Sequence, residues 1–167
     1  MPRITLRPMD QNEFVTFRAS AVERYALDMH NYLGRPLDAS RISAEASFSH
    51  LLPQGLASEL QYIFHLVDEY KKVIGHLWYG IKQDEFKDLV FQKRIYIYDI
   101  HVYSEYQGKG FGKQSMSLLD MQAKKHGIDM IELHVFGDNA RAISLYQQQG
   151  YSSSNIIMRK KLSLDKL

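Results

Sequence analysis

Gly108, Gly110 and Gly112 alternate in the run Gln107-Gly-Lys-Gly-Phe-Gly112, which stands one short polar connector after a segment rich in Tyr and Ile and ahead of a helical pattern. At the start of a helix the first backbone N–H groups have no intrahelical partner and the helix dipole adds partial positive charge. Such a start attracts an anion. Glycine removes the Cβ that would hold a phosphate away from the main chain. Lys109 and Lys113 flank the turn and add point charges, unless they are ordinary solvated lysines. The chemistry expected here is the binding of a phosphorylated ligand.

Two well-known glycine signatures do not account for it. A P-loop needs Ser or Thr after its Gly-Lys pair, whereas Gly112-Lys113 is followed by Gln114. The dinucleotide fingerprint needs G-x-G-x-x-G directly after a strand. Here the spacing is G-x-G-x-G behind a polar connector, Ser104 to Gln107, and the downstream acid Glu132 falls in mid-strand. Three further residues have chemical potential. Asn139 and Tyr146, seven apart, fall on one face of a predicted helix. Asp99 interrupts a strand built otherwise from Tyr and Ile, an unfavourable place for a charge without a purpose. It can serve as a base, pair with an Arg, or bind substrate.

The elements that must position these residues follow from periodicity. Arg3 to Arg7 alternates as a first strand. Asp10 is a plausible cap for a long amphipathic helix through Phe14, Phe17, Ala21, Val22 and Tyr25, stopped by Gly34 and Pro36. Asp38 or Ser40 would cap a second helix through Leu51. QYIFHLVD, the turn EYKK and VIGHLWYGI read as an antiparallel hairpin. The polar link KQDEFKDLVFQ leads to the strand RIYIYDIHVY. Past the glycines, Gly112, Met116, Leu119 and Ala123 form a helical stripe that Gly127 closes. The strand DMIELHVF, a helix over Asn139–Gln149 stopped by Gly150, and a last strand over Ile156–Leu162 complete the order. This is a mixed α/β (α+β) arrangement without repeat or linker, expected as one domain over 1–167.

Composition narrows the function classes. The chain has 167 residues, 45% hydrophobic and 24% charged, in the range of soluble globular proteins. Its 21 basic and 19 acidic residues give +2, too small a margin for a nucleic-acid footprint. Arg159-Lys160-Lys161 reads as a solvated strand end. There is no cysteine, so thiol catalysis and disulfides are excluded, and no metal site is expected. The start MPRITLRPMD lacks a signal-peptide core and no apolar run approaches the roughly 18 residues that span a bilayer, so no membrane partner and a cytoplasmic location are expected.

The run Gln107 to Gly112 also matches the signature Q/R-x-x-G-x-G/A, and the sequence resembles the GNAT superfamily of N-acetyltransferases. Ile100-His101-Val102 stands where that family's fourth strand ends. Asn139, Ala142, Tyr146, Gly150 and Tyr151 follow its later pattern, so matching motifs cover about residues 95–151. The resemblance implies a mostly antiparallel central sheet with helices on both faces and splayed fourth and fifth strands. It implies acetyl-CoA as co-substrate and no metal. The pyrophosphate would lie on Gln107, Gly108, Lys109, Gly110, Phe111, Gly112 and Lys113. The pantetheine arm would run along Ile100, His101 and Val102, and Asn139, Ala142 and Tyr146 would line the far wall. Tyr146 matches the position that protonates or holds the departing thiolate. A phenol near pKa 10 facing a thiol near 8.5 makes full transfer uphill by about 2 kcal/mol. Asp99, His101 and His134 are candidate bases.

The implied acceptor is a small-molecule or peptide amine bound by residues 14–52 and 152–157, where Tyr25, Tyr32, Phe48, His30 and His50 either shape a pocket or fill a core. Dimers are common in the family, so a homodimer is one expectation. Two other readings remain: a coenzyme A binding or sensing module without useful catalysis, and an unrelated nucleotide-binding α/β domain.

Overall fold

The computed structural model describes residues 3–83, 93–160 and 162. Its elements are β1 (Thr5–Pro8), α1 (Gln11–Leu33), α2 (Leu37–Leu51), β2 (Gln61–Val67), β3 (Val73–Gln83), β4 (Lys93–Val102), α3 (Phe111–Lys125), β5 (Ile131–Leu133) and α4 (Ala140–Gln148). The strands form one sheet in the order β1-β2-β3-β4-β5, antiparallel except for β4 with β5.

Local chemistry sets most boundaries. Asp10 accepts from the Glu13 amide at 2.9 Å while the Glu13 carboxylate accepts from the Asp10 amide at 3.0 Å, a reciprocal cap that fixes where α1 starts. Gly34, at φ 65°, ends it in the left-handed conformation. The start of α2 differs from expectation. Its boundary residue is Pro36, with no side-chain cap, and neither Asp38 nor Ser40 caps it. Proline's fixed φ is compatible with helix entry without a cap. Ser40 lies inside the helix, fully buried, with its hydroxyl donating to the Pro36 carbonyl. The hairpin forms as read, with the Asp68 carboxylate accepting from the Tyr70 and Lys72 amides in the turn.

Two apolar layers clamp the sheet. On one face Phe14, Phe17 and Phe48 from α1 and α2 pack on Ile63 and Trp78. On the other, Phe111, Met116, Leu119 and Ala123 from α3 pack on Leu66, Ile74, Leu77, Ile95 and Ile97. Each of the larger side chains contributes about 1.5–3 kcal/mol by leaving water.

The last expected strand, Ile156–Leu162, does not form among the described residues. Residues 151–160 carry no regular structure, and Ile156, Ile157 and Met158 are exposed. Among the described strands none takes this segment into its ladder, and its apolar side chains stay in water. Lys161, and the polar link beyond Gln83 as far as residue 92, lie outside the described residues.

Candidate active site

One extra residue in β4 decides what faces where. Trp78 stands opposite Asp99 while Tyr79 stands opposite Ile97, so Tyr98 is a bulge. Bulges reset the alternation of side chains. Ile95 and Ile97 point to the α3 layer. Tyr98 stacks on Trp78 at 4.7 Å, and Asp99 also faces α1. Beyond the bulge Ile100 returns to the α3 side and His101 to the α1 side, stacked on His76 at 5.4 Å.

The same segment loses its outer neighbour. β5 pairs with β4 only at Ile95–Ile97 and ends at Leu133, so among the described residues no strand lies beside the outer edge of β4 from Tyr98 to Val102. The two strands part into a wedge. β4 then runs through the one-turn segment Ser104–Tyr106 to the glycines. Gly108 and Gly110 both adopt positive φ, 76° and 81°, where a side chain would be strained, and a Cβ there would meet open space. Gly112 serves a different purpose. A Cβ on it would approach the Leu145 side chain to 3.2 Å, so it lets α3 start close against α4. The loop, with the first amides of α3 after it, suits an anion, and its open space suits a phosphate rather than a side chain.

The polar side chains around the wedge are tied down. Gln107 Nε2 donates to the Val102 carbonyl at 2.8 Å, and its Oε1 accepts from Arg141 at 2.6 Å, joining the end of β4 to α4 across the mouth. Lys109 donates to the Glu105 carbonyl, and Lys113 is exposed. Asn139 caps α4, its Oδ1 accepting from the Ala142 amide at 3.2 Å. Tyr146 lies one face along that helix, packed against the core. Burial and then the Asp99 charge push its phenol above its ordinary pKa.

Asp99 does not stand alone. Its Oδ2 accepts from Arg24 Nη2 at 2.7 Å and lies 2.9 Å from His76 Nε2. Burial works to raise its carboxyl, but His76 and Arg24 outweigh it and hold the group at about 2. Burial, with His76 and Arg24, lowers His101, so it is neutral near pH 7. The sequence reading missed Arg24 and His76 because they lie 75 and 23 residues from Asp99 with no local signal. It also missed Arg141, the second residue of α4. Among the other candidates, His134 is exposed beyond β5, its ring 5.2 Å from Phe136. Phe136 stacks on Tyr32 of α1 at 5.0 Å. Phe48 is core, His30 contacts the Arg35 carbonyl, and Tyr25 and His50 are exposed. Glu132 pairs with Arg94 across β4–β5.

A bulged fourth strand, a wedge beyond it and a glycine loop opening a helix agree with the profile of the acetyltransferase (GNAT) family, which matches residues 27–151. The chain belongs to this family. YycN of Bacillus subtilis (strain 168), described as an uncharacterized N-acetyltransferase, is 33% identical over 95% of this chain and 99% of its own length. Its crystal structure superposes with a TM-score of 0.87, covering 96% of this chain and 99% of that one. YdgE of the same organism, also described as an uncharacterized N-acetyltransferase, is 30% identical over 95% of this chain and 98% of its own. An L-ornithine N5-acetyltransferase of Arabidopsis thaliana shares 39% identity over a shorter stretch, 34% of this chain and 25% of its own. This GNAT chain is therefore an N-acetyltransferase by family and by relatives. No helix among the described residues is long and apolar enough to cross a membrane, and no group of three potential ligands there is placed to hold a metal.

Proposed function

We propose that the protein transfers the acetyl group of acetyl-CoA to a primary amine by direct attack within a ternary complex. The observation that carries this reading is the β4 edge from Tyr98 to Val102, unpaired beside the wedge and leading straight into the Gly108–Gly112 loop. Acetyl-CoA supplies an acetyl thioester already activated for attack. The loop amides and the α3 start hold its pyrophosphate, with Arg141 and Lys109 close by. The edge amides and carbonyls of Ile100, His101 and Val102 hold the pantetheine arm as an added strand. A β4 amide pointing into the wedge polarises the thioester carbonyl, a contribution of about 3 kcal/mol at comparable sites.

Tyr146 holds the departing sulfur. With its phenol raised, it is a stronger hydrogen-bond holder than acid, and full proton transfer waits until negative charge has developed on sulfur. Asn139 keeps α4 in place through its cap. Asp99 presents negative charge to the acceptor side, where an amine arrives as a cation. A carboxyl held at about 2 keeps that charge throughout but is a poor resting place for a proton.

Thermal unfolding with acetyl-CoA, CoA, NAD and ATP in parallel tests the first half. A ligand at about 100 times its Kd stabilises by about 2.7 kcal/mol. Stabilisation by the two coenzyme A forms alone is the expected result. A larger shift with NAD or ATP overturns it. Thiol release with a panel of primary amines, L-ornithine included, tests the second half. Tight coenzyme A binding without transfer to any amine would favour a sensing module instead.

A further inference from the structure

Arg24 of α1, His76 of β3 and Asp99 of β4 converge on one point. Arg24 Nη2 and His76 Nε2 lie 2.7 and 2.9 Å from the same Asp99 oxygen and 2.9 Å from each other. Asp99 sits at the bulge, beside the unpaired β4 edge, and about a fifth of its side chain, 22%, stays open. His76 is only 2% exposed, yet its ring forms part of the wall of a second space. This is a cavity of about 310 Å³ under the first half of α1, lined among others by Glu13, Ser20, His65 and Tyr103. His65 is 8% exposed, and neither of its ring nitrogens has a hydrogen-bond partner among the described residues, with Glu13 Oε1 3.5 Å away. A buried polar group left poorly satisfied costs about 1–3 kcal/mol, so a buried histidine whose nearest charged neighbour, Glu13, stands 3.5 Å off at the wall of a cavity calls for an explanation. His76 thus has the wedge-side carboxylate next to one ring nitrogen and a polar cavity along its ring.

Amine acetylation has a proton to dispose of. An acceptor enters as R–NH3+. The N–C bond forms, the C–S bond breaks, and the nitrogen sheds two protons. One goes to the thiolate sulfur, the other to water, so each turnover releases one H+. Asp99 cannot store it. Resting on the proposed amine acetylation, we infer that the released proton is handed across Asp99 to His76 and leaves through the cavity below α1, with His65 and Glu13 as its outer stations.

The charged and titratable groups facing this route are Arg7 from β1, Glu13, Arg24 and Asp28 from α1, His65 from β2, Asp99 and His101 from β4 with Tyr103 just after it, and Tyr146 from α4. The Glu13 carboxylate, held low at about 2 by Arg7 and the Asp10 amide, waits at the outer end. No oxidant or co-reactant is needed.

Chemical rescue is the test. His76→Ala is expected to lower kcat on the order of 10²-fold for the fastest amine of the panel, since a positioned proton acceptor contributes 10²–10⁴-fold. Stabilisation by acetyl-CoA should be unchanged. Added imidazole, which fits the enlarged cavity, should restore at least tenfold. Pyrazole, equal in shape but far less basic, should not. Equal rescue by both azoles, or a kcat within twofold of the parent, overturns the relay. Should His76→Ala not fold, His65→Gln keeps the proposal exposed. It is expected to lower kcat several-fold and to enlarge the solvent deuterium effect on kcat, with unfolding temperature preserved, and no change in either rate measure overturns the cavity route. A parent protein that binds acetyl-CoA but acetylates no amine sinks the amine reading itself, and the relay with it. A parent that turns over while both variants match it sinks the relay alone.

Discussion

Under the proposed acetyl transfer Tyr146 holds the leaving sulfur, and its removal should separate binding from chemistry. Tyr146→Phe is expected to lower kcat on the order of 10²-fold while changing the acetyl-CoA Kd by less than about threefold, as read from thiol release and from thermal titration. The Arg24–His76–Asp99 cluster predicts a different signature. Asp99→Asn removes the negative charge on which Arg24 and His76 meet. With the pair largely out of water, the cost should be about 2–3 kcal/mol, seen as a lower midpoint in urea. Sequence could announce Asp99 as anomalous, because one acid among Tyr and Ile violates strand chemistry locally. It could not announce Arg24 or His76. A charged residue on an amphipathic helix and a histidine in a strand are each ordinary until the fold brings them within 3 Å of one another. Gly108 and Gly110 were legible because positive φ is a demand that sequence records directly, whereas Gly112 answers to Leu145, 33 residues on, and its packing reason needs coordinates.

Elements follow the same division between local and distant causes. The Asp10 cap, the Gly34 stop and the EYKK turn are written within four or five residues, and each forms where the pattern puts it, with Glu13 completing the cap and Asp68 bracing the turn. The start of α2 went to Pro36 because proline already holds a helical φ, while Ser40 became part of the core. The Ile156–Leu162 strand depended on a partner, and none of the described strands supplies one. No window of sequence reports whether a neighbour will supply an edge. Gly110 offers the sharpest test of an element boundary. Gly110→Ala must hold a β-carbon at φ 81°, at a cost of about 1–2 kcal/mol. The loop should relax away from that geometry, so acetyl-CoA affinity should fall about tenfold or more while CD-detected helix content stays the same. An affinity equal to the parent's would show that these amides do not hold the pyrophosphate.

Across the whole molecule, the pH dependence of stability follows from groups on the α1 face. His65 and His101 are both lowered, chiefly by burial, so the unfolded chain takes up protons first as pH drops. Stability should therefore begin to fall as pH passes down through about 6.5, the ordinary histidine value. Glu13 and Asp99, each held at about 2, add a second loss that starts near the ordinary carboxyl values of about 4 and is complete only near 2. Urea midpoints between pH 8 and pH 3 should show these two steps, and a flat curve between 7 and 5 would remove the histidines from the account. The parting of β4 from β5 has a consequence outside catalysis. A strand edge open in the interior of a sheet accepts any extended backbone that reaches it, including a segment of another molecule of the same protein. A coenzyme arm on that edge would then act as a chaperone for the enzyme that consumes it. Concentrated stocks should cloud more slowly on warming with CoA present, by a margin larger than the rise in unfolding temperature explains. In a cell short of coenzyme A, acetylated or free, such an enzyme would risk its solubility along with its activity.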